Sequence, residues 1–203
     1  MLKEIFYSVI NWRESIVTQS SNRKIKQYPS TFMHDYERKQ SAKLMRVNHI
    51  GEVCAQALYT GQLLMAREND LKKTLLHAKS EEIDHLVWCY GALNRLHSNP
   101  SIIIPTWFSG ALMLSLIFSI TGDEYNALFL EETELQVARH LEKHLQLMPW
   151  SDTISLEILN TMLEEEIEHA KNAKSFTDKE MHHSLKMFMR LNAKVMTSLG
   201  QYI

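Results

Sequence analysis

Glu81-Glu82-Ile83-Asp84-His85-Leu86 and Glu165-Glu166-Ile167-Glu168-His169-Ala170 decide how this chain folds, together with Glu52 and Glu134 upstream of them. Each stretch contains Glu-x-x-His, and the two copies stand 84 residues apart. Glu52 precedes Glu82 by 30 residues and Glu134 precedes Glu166 by 32. On a helix, residues i and i+3 lie about 60° apart, so the Glu and His of each motif can reach one point. In an antiparallel helical hairpin, a spacing near 30 returns the chain to the same level. A shuffled chain of this composition yields about one Glu-x-x-His by chance, so the repeat carries the signal. A third copy, Glu180-Met181-His182-His183, lacks such a partner because Trp150 stands 30 residues before it. Glu180 and His183 therefore read as surface residues.

Helical periodicity runs from Ser41 to about Glu68, with apolar or small residues at Leu44, Val47, Ala55, Leu58 and Leu63. Asp70 is expected to N-cap a second helix reaching about Leu96, stopped by Ser98-Asn99-Pro100. Gly122-Asp123 opens a third that ends at Pro149. Ser151 or Asp152 caps a fourth that runs to about Phe176. Leu185 to Leu199 is amphipathic, and a short helix is expected around Ile5 to Ile16. Six Gly and four Pro in 203 residues are too few for an all-β sandwich. Cys54 and Cys89 form no C-x-x-C pair, read as small buried residues, and suit a reducing compartment. The N-terminus has no long apolar core or small-residue cleavage site, so no targeting signal is read there. The expected architecture is all-α. A four-helix bundle over 41–203 follows an extension over 1–40, with a long apolar crossover at 98–122 between two hairpins. Such a crossover marks the ferritin-like group.

The net charge of −2 hides an uneven distribution: residues 123–168 carry two Lys/Arg against twelve Asp/Glu. This argues against a nucleic-acid binder, whose basic stripe the acidic segment would interrupt. Carboxylates this dense are solvated, protonated or bound to cations. A solvated acidic helix face is the plainer alternative. Four carboxylates and two imidazoles buried in one bundle need cations to offset their charge. Glu52, Glu82, His85, Glu134, Glu166 and His169 form the ligand set of ferritin-like di-iron carboxylate proteins, which draw one Glu from each of two helices and Glu-x-x-His from each of the others. Mixed oxygen and nitrogen ligation suits iron or manganese, and the lack of thiolates argues against structural zinc.

Around these, His140 reads equally as a group that orients a ligand or moves a proton and as an ordinary exposed histidine. Asp84 and Glu168 are candidates to hydrogen-bond the histidines, with helix-surface charge as the plainer role. Tyr59 either approaches the pocket or, more simply, packs in the core.

Arg46-Val47-Asn48-His49-Ile50-Gly51-Glu52-Val53-Cys54-Ala55-Gln56-Ala57-Leu58-Tyr59-Thr60-Gly61-Gln62 resembles the first-helix signature of the demethoxyubiquinone hydroxylases. Glu81 to Leu86, Glu131-Glu132-Thr133-Glu134 and Glu165 to His169 are similar to that family too, over about residues 40–200. Ile50 replaces the usual Ala after Asn-His. The resemblance implies two iron ions per chain, held by the six residues named, with Glu82 and Glu166 bridging. It implies O2-dependent hydroxylation of a polyprenylated methoxy-benzoquinol, the penultimate step of ubiquinone synthesis. One oxygen atom enters the ring and the other leaves as water. Expected partners are that quinol and O2, a membrane surface, an electron donor and other ubiquinone-synthesis proteins. The expected location is peripheral, on the cytoplasmic face of the cell membrane.

The crossover bears on that location. Leu96 to Gly122 has no Asp, Glu, Lys or Arg, yet its dense apolar part, Trp107 to Ile120, is shorter than the roughly 20 residues a spanning helix needs. By itself it reads as a buried core helix or as a segment lying in a membrane surface. The family's lipid-tailed substrate favours the second, with Lys186, Arg190 and Lys194 assisting at an anionic surface. On that reading, replacing Leu114 and Ile117 by Asp releases the protein from membranes. Three rivals remain: a ferritin-like iron-storage or peroxide-scavenging protein, a di-iron hydroxylase of modified tRNA, and a non-enzymatic membrane-associated helical adaptor.

Overall fold

A computed structural model describes Arg23, Ile25 and residues 32–201 of the chain. The helix expected at Ile5 to Ile16 lies outside the described residues. Those described are helical and contain no strand: α1 (Asp35–Met65), α2 (Asn69–Arg95), α3 (Ile104–Ser119), α4 (Asp123–Leu147), α5 (Thr153–Lys174) and α6 (His183–Gly200). α1 begins six residues before the expected Ser41. Its first turn carries Asp35 and Glu37, which favour a helix N-terminus electrostatically, and Glu37 accepts the His34 backbone N–H at 2.8 Å. Asp35 to Gln40 show no apolar period, so periodicity could not find this turn.

α2 also starts earlier than its expected cap, with Glu68 at the N-cap and Asp70 in the first turn, paired with Lys73 at 2.9 Å. The carboxylate that serves this end comes from a distant element. Asp123 accepts the backbone N–H groups of Arg67 and Glu68 at 2.9 and 2.6 Å. Asp152 does cap α5, accepting Ser155 N–H at 3.2 Å. Gly122 precedes α4 at φ 125°, a conformation that side chains disfavour, and lets the chain turn sharply out of α3.

α1 packs along α2 and α3, α4 packs along α5, and the two hairpins meet across α2–α5 and α1–α4. Among the described residues four apolar clusters fill the interior, and two of them lie on either side of the motif residues along the bundle. One joins Met45, Cys89, Leu93, Leu141, Leu159 and Met162; the other joins Tyr59, Leu71, Leu75, Leu130 and Ala173. On each bundle helix the motif residues fall between these clusters: Glu52 between Met45 and Tyr59, Glu134 between Leu130 and Leu141. The polar centre is thereby sealed at both ends.

α3 approaches α1 closely where Gly61 faces it. A Cβ on Gly61 would run into Ser115 Oγ and stand 2.9 Å from Ser115 Cβ and 3.3 Å from Leu116 N. Ser115 Oγ also donates to Leu58 O at 2.6 Å, tying the two helices at this point. Gly61→Ala gains about 1 kcal/mol of helix propensity but overpacks a contact with backbone, at a cost of about 1–3 kcal/mol. The variant is expected to unfold at lower urea than the wild type.

α3 is too short to cross a membrane, and no helix among the described residues is long and apolar enough to do so. Met113 and Ile117 of α3 and Ile120 just after it are exposed, whereas Leu114 turns inward. On α6, Phe188, Leu191, Val195 and Leu199 form an exposed stripe. Of its basic residues, Lys186 is half-buried and Arg190 is exposed. Lys186 and Arg190 lie 3.5 and 3.9 Å from the buried Glu132 of α4, whose charge attracts them. Lys194 is exposed.

Candidate metal centre

Each of the six motif residues is buried where its helix passes between the apolar clusters. The structure brings them into two overlapping groups. Glu52, Glu82, His85 and Glu166 offer ligand atoms all within 4.8 Å of one another, and so do Glu82, Glu134, Glu166 and His169. Glu82 and Glu166 belong to both groups, and their individual oxygens show why. Glu82 presents Oε2 to His85 Nδ1 at 3.3 Å and Oε1 to His169 Nδ1 at 3.4 Å. Glu166 presents Oε1 to His85 Nδ1 and Oε2 to His169 Nδ1, each at 3.5 Å. Each of these carboxylates faces both positions, as a bridge must, while Glu52 and Glu134 each face one.

The inward-pointing atoms lack hydrogen-bond partners. Glu52 Oε2, both oxygens of Glu82, Glu166 Oε2 and the Nδ1 atoms of His85 and His169 are buried and orphaned. Unpaired buried polar atoms are costly. Six of them converging from three helices, α1, α2 and α5, fit a metal site, because lone pairs directed at a cation need no hydrogen bond.

Both imidazoles are oriented from behind. His85 Nε2 lies 2.8 Å from Glu165 Oε2, and His169 Nε2 lies 2.8 Å from Glu81 Oε2. The pairing crosses between hairpins, since Glu165 of α5 serves the histidine of α2 and Glu81 of α2 serves that of α5. A carboxylate on Nε2–H leaves Nδ1 as the basic atom facing inward. The sequence offered Asp84 and Glu168 as candidates for this role, with helix-surface charge as the plainer reading. Asp84 instead receives Arg23 Nε at 2.6 Å, and Glu168 is exposed with Lys171 3.7 Å away. Glu81 and Glu165 had left a trace, for the doubled Glu81-Glu82 and Glu165-Glu166 repeat with the same offset of 84.

Tyr59 is both core and site: it is buried in the second apolar cluster and donates from Oη to Glu134 Oε1 at 2.7 Å. His140 is not the ordinary exposed histidine that was one of its two sequence readings. It is half-buried on a cavity wall, its ring centroid 3.9 Å from that of His144, and its Nε2 has no partner. Cys54 Sγ faces Met196 Sδ at 3.7 Å, and burial pushes its thiol up to about 12. Cys89 is buried, and Glu180 and His183 are exposed.

That cavity, of ≈ 260 Å³, reaches the carboxylates of Glu52, Glu82, Glu134 and Glu166. Its walls are mostly apolar and come from α1, α3, α4 and α6, with Leu58, Trp107, Leu114, Phe129, Met189 and Met196 among them. Trp107 Nε1, Asn48 Oδ1 and His140 Nε2 are unpartnered polar atoms of residues on these walls.

Burial is the largest influence on Glu52 and Glu134. Reinforced by Glu82 beside the first and Glu166 beside the second, it holds both far above the usual carboxylate range. At Glu82 the cost of burial is outweighed by His85 and His169, so its carboxyl titrates below that range. Burial likewise opposes charging of the imidazoles, yet Glu82 and the hydrogen-bonding carboxylates raise His85, and Glu166 with Glu82 raises His169 to about 12. Glu165, against burial, is lowered to about 2 by His85 and Arg23.

Cations entering this site displace protons, so their affinity rises with pH. The raised groups, Glu52, Glu134, His85 and His169, favour the metal-free fold at low pH and lose that contribution as pH climbs. Glu82 and Glu165 are depressed, so their contribution disappears only in more acidic solution. His49, His140 and His144 are lowered by burial to about 4, 4 and 3, and they act alike with or without metal. The rise in Tm conferred by Mn(II) is therefore expected to grow steadily between about pH 5.5 and 8. Calorimetry of loaded and metal-free protein measures it, and a flat or falling difference contradicts the site.

Comparison with known proteins agrees with this geometry. The family model described as "Ubiquinone biosynthesis protein COQ7" matches residues 39–200. A protein of Xylella fastidiosa (strain Temecula1 / ATCC 700964) named 3-demethoxyubiquinol 3-hydroxylase is 47% identical over 146 residues, covering 72% of this chain and 67% of its own. A protein of the same name from Legionella pneumophila (strain Corby) is 41% identical over 173 residues, 85% of this chain and 81% of its own. Another from Chromobacterium violaceum is 43% identical over 161 residues, 79% and 78%. With a match spanning all four bundle helices and all six clustered residues, this chain belongs to the COQ7 family of ubiquinone biosynthesis proteins.

Proposed function

We propose that the chain is a di-iron monooxygenase that hydroxylates the ring of a polyprenylated demethoxy-ubiquinol with O2, the penultimate step of ubiquinone biosynthesis. The observation that carries this reading is that a cluster in which Glu82 and Glu166 each face both histidines opens onto an apolar cavity. Glu52 and His85 would hold one iron ion and Glu134 and His169 a second, with Glu82 and Glu166 shared between them, and the pair would supply O2 activation. A thiolate-free set of oxygens and nitrogens suits that metal.

The chain's own residues do the rest. Glu165 and Glu81 fix the two imidazoles, and Tyr59 holds Glu134 by its hydroxyl. The cavity wall excludes water and receives the quinol ring beside Glu52 and Glu134. Trp107 Nε1, Asn48 Oδ1 and His140 Nε2 are the polar atoms placed to orient its oxygens. An iron store needs no such apolar chamber.

The isoprenoid tail leaves between α3 and α6. Both helices line the cavity with one face and expose apolar residues on the other, the pattern of segments that lie in a lipid interface. The enzyme then works as a peripheral protein on the cytoplasmic face of the cell membrane. Purified protein loaded anaerobically with Fe(II) tests the reading. Two irons per chain, oxidised by O2 as a coupled pair in Mössbauer spectra, with hydroxylated quinol formed from demethoxyubiquinol, are expected. Less than one iron, or two without product once a reductant is supplied, overturns it.

A further inference from the structure

His85 and His169 occupy equivalent places in the cluster, but what stands behind them differs. Behind His169, Glu81 meets His77 Nδ1 at 3.2 Å, an exposed imidazole that carries charge only when protonated. Behind His85, Glu165 meets a permanent cation that takes both of its oxygens: Arg23 Nη1 reaches Oε1 at 2.6 Å and Nη2 reaches Oε2 at 3.0 Å. The same guanidinium donates from Nε to Asp84 at 2.6 Å and lies over the Trp88 ring, 5.0 Å from its centroid. Trp88 Nε1 donates to the Arg23 carbonyl at 3.2 Å, and the Trp88 ring lies 5.6 Å from that of His85. Arg23 comes from outside the six helices and outside the segment that the COQ7 family model matches.

We propose that Arg23 is a positioning residue for one half of the metal centre: its two-pronged grip on Glu165 fixes the His85 imidazole and makes the two metal positions inequivalent. This rests on the two-metal reading above. Glu165 is partly exposed, so without the grip its carboxylate turns toward water and His85 Nε2–H loses a fixed acceptor. A carboxylate that orients a ligating histidine is worth about 10–100-fold in metal affinity, and Arg23 governs how well that is delivered to His85 alone. Its positive charge, which would repel a dication, is more than matched by Asp84 and Glu165 beside it. Lysine cannot replace it fully, because an ammonium lacks the planar fork that engages both oxygens.

Co(II) binding to the full chain tests this. The two histidine Nε2–H protons are expected to give separate hyperfine-shifted, exchangeable NMR signals in Co(II)-loaded protein. Arg23→Ala is expected to weaken one of two Co(II) equivalents about tenfold, broadening one of the two signals by solvent exchange and leaving the other unchanged. Arg23→Lys should fall between, and adding Arg23→Ala to Glu165→Gln should change nothing further. Circular dichroism and the unfolding midpoint report the fold, and Arg23→Lys supplies the same comparison if Arg23→Ala misfolds. Fewer than two Co(II) ions in the wild type would overturn the two-metal reading and this assignment with it. Two ions in the wild type, with the variants weakening both alike, weakening neither, tightening either, or adding to Glu165→Gln, would overturn the role of Arg23 alone.

Discussion

Glu166→Ala is expected to empty the metal centre, whereas Glu52→Ala leaves it half occupied. The difference follows from which group each residue joins. Glu166 offers one oxygen to the His85 side and the other to the His169 side, so its removal takes a ligand from both positions. Glu82→Ala should behave the same way. Glu52 belongs to the first group only and Glu134 to the second only, so each of their alanine variants keeps one position intact. Iron analysis after anaerobic loading should read near zero for the two bridging variants and near one per chain for the two terminal ones. Hydroxylation should fall more than about 100-fold in all four, the effect exceeding that of losing an orienting group. Equal metal loss in all four would show that the carboxylates do not divide as bridging and terminal. The metal-free variants should fold, since removing one of several crowded carboxylates relieves repulsion.

Met113→Asp combined with Ile117→Asp is expected to release the protein from lipid vesicles without loss of iron. Both side chains project outward from α3, so neither touches the cavity or the cluster. Each large apolar side chain placed in the interface contributes about 1.5–3 kcal/mol, and replacing two by carboxylates should lower partitioning more than about 100-fold. Vesicle co-sedimentation measures it, with iron content as the control. Of the pair expected from sequence, Leu114 with Ile117, only Ile117 projects outward. Leu114 lines the cavity and packs with Leu58, Phe129 and Met189, so an aspartate there would damage the chamber itself. Persistent vesicle binding by the Met113 and Ile117 variant would place the lipid contact elsewhere.

The helical pairing was legible because the two halves repeat. Glu52 with Glu82 and Glu134 with Glu166 state the length of each hairpin, and the spacing of His85 and His169 states which helix faces point inward. Those are local facts: 3.6 residues per turn and a hairpin's return turn residue order into position. The first turn of α1 was not legible, because Asp35 to Gln40 are polar or exposed and leave no apolar period. The start of α2 was not, because its terminal N–H groups are met by Asp123, more than fifty residues away in sequence.

The six clustered residues were thus written in the sequence, and tertiary structure decided how they are supported. Glu81 and Glu165 act across the hairpins rather than along their own helices, Tyr59 joins core and site at once, and Arg23 arrives from outside the bundle. Helix periodicity specifies which side chains share a face. Which carboxylate stands behind which histidine depends on how two helices lie against each other, and that is fixed only when the apolar clusters on either side of the centre close.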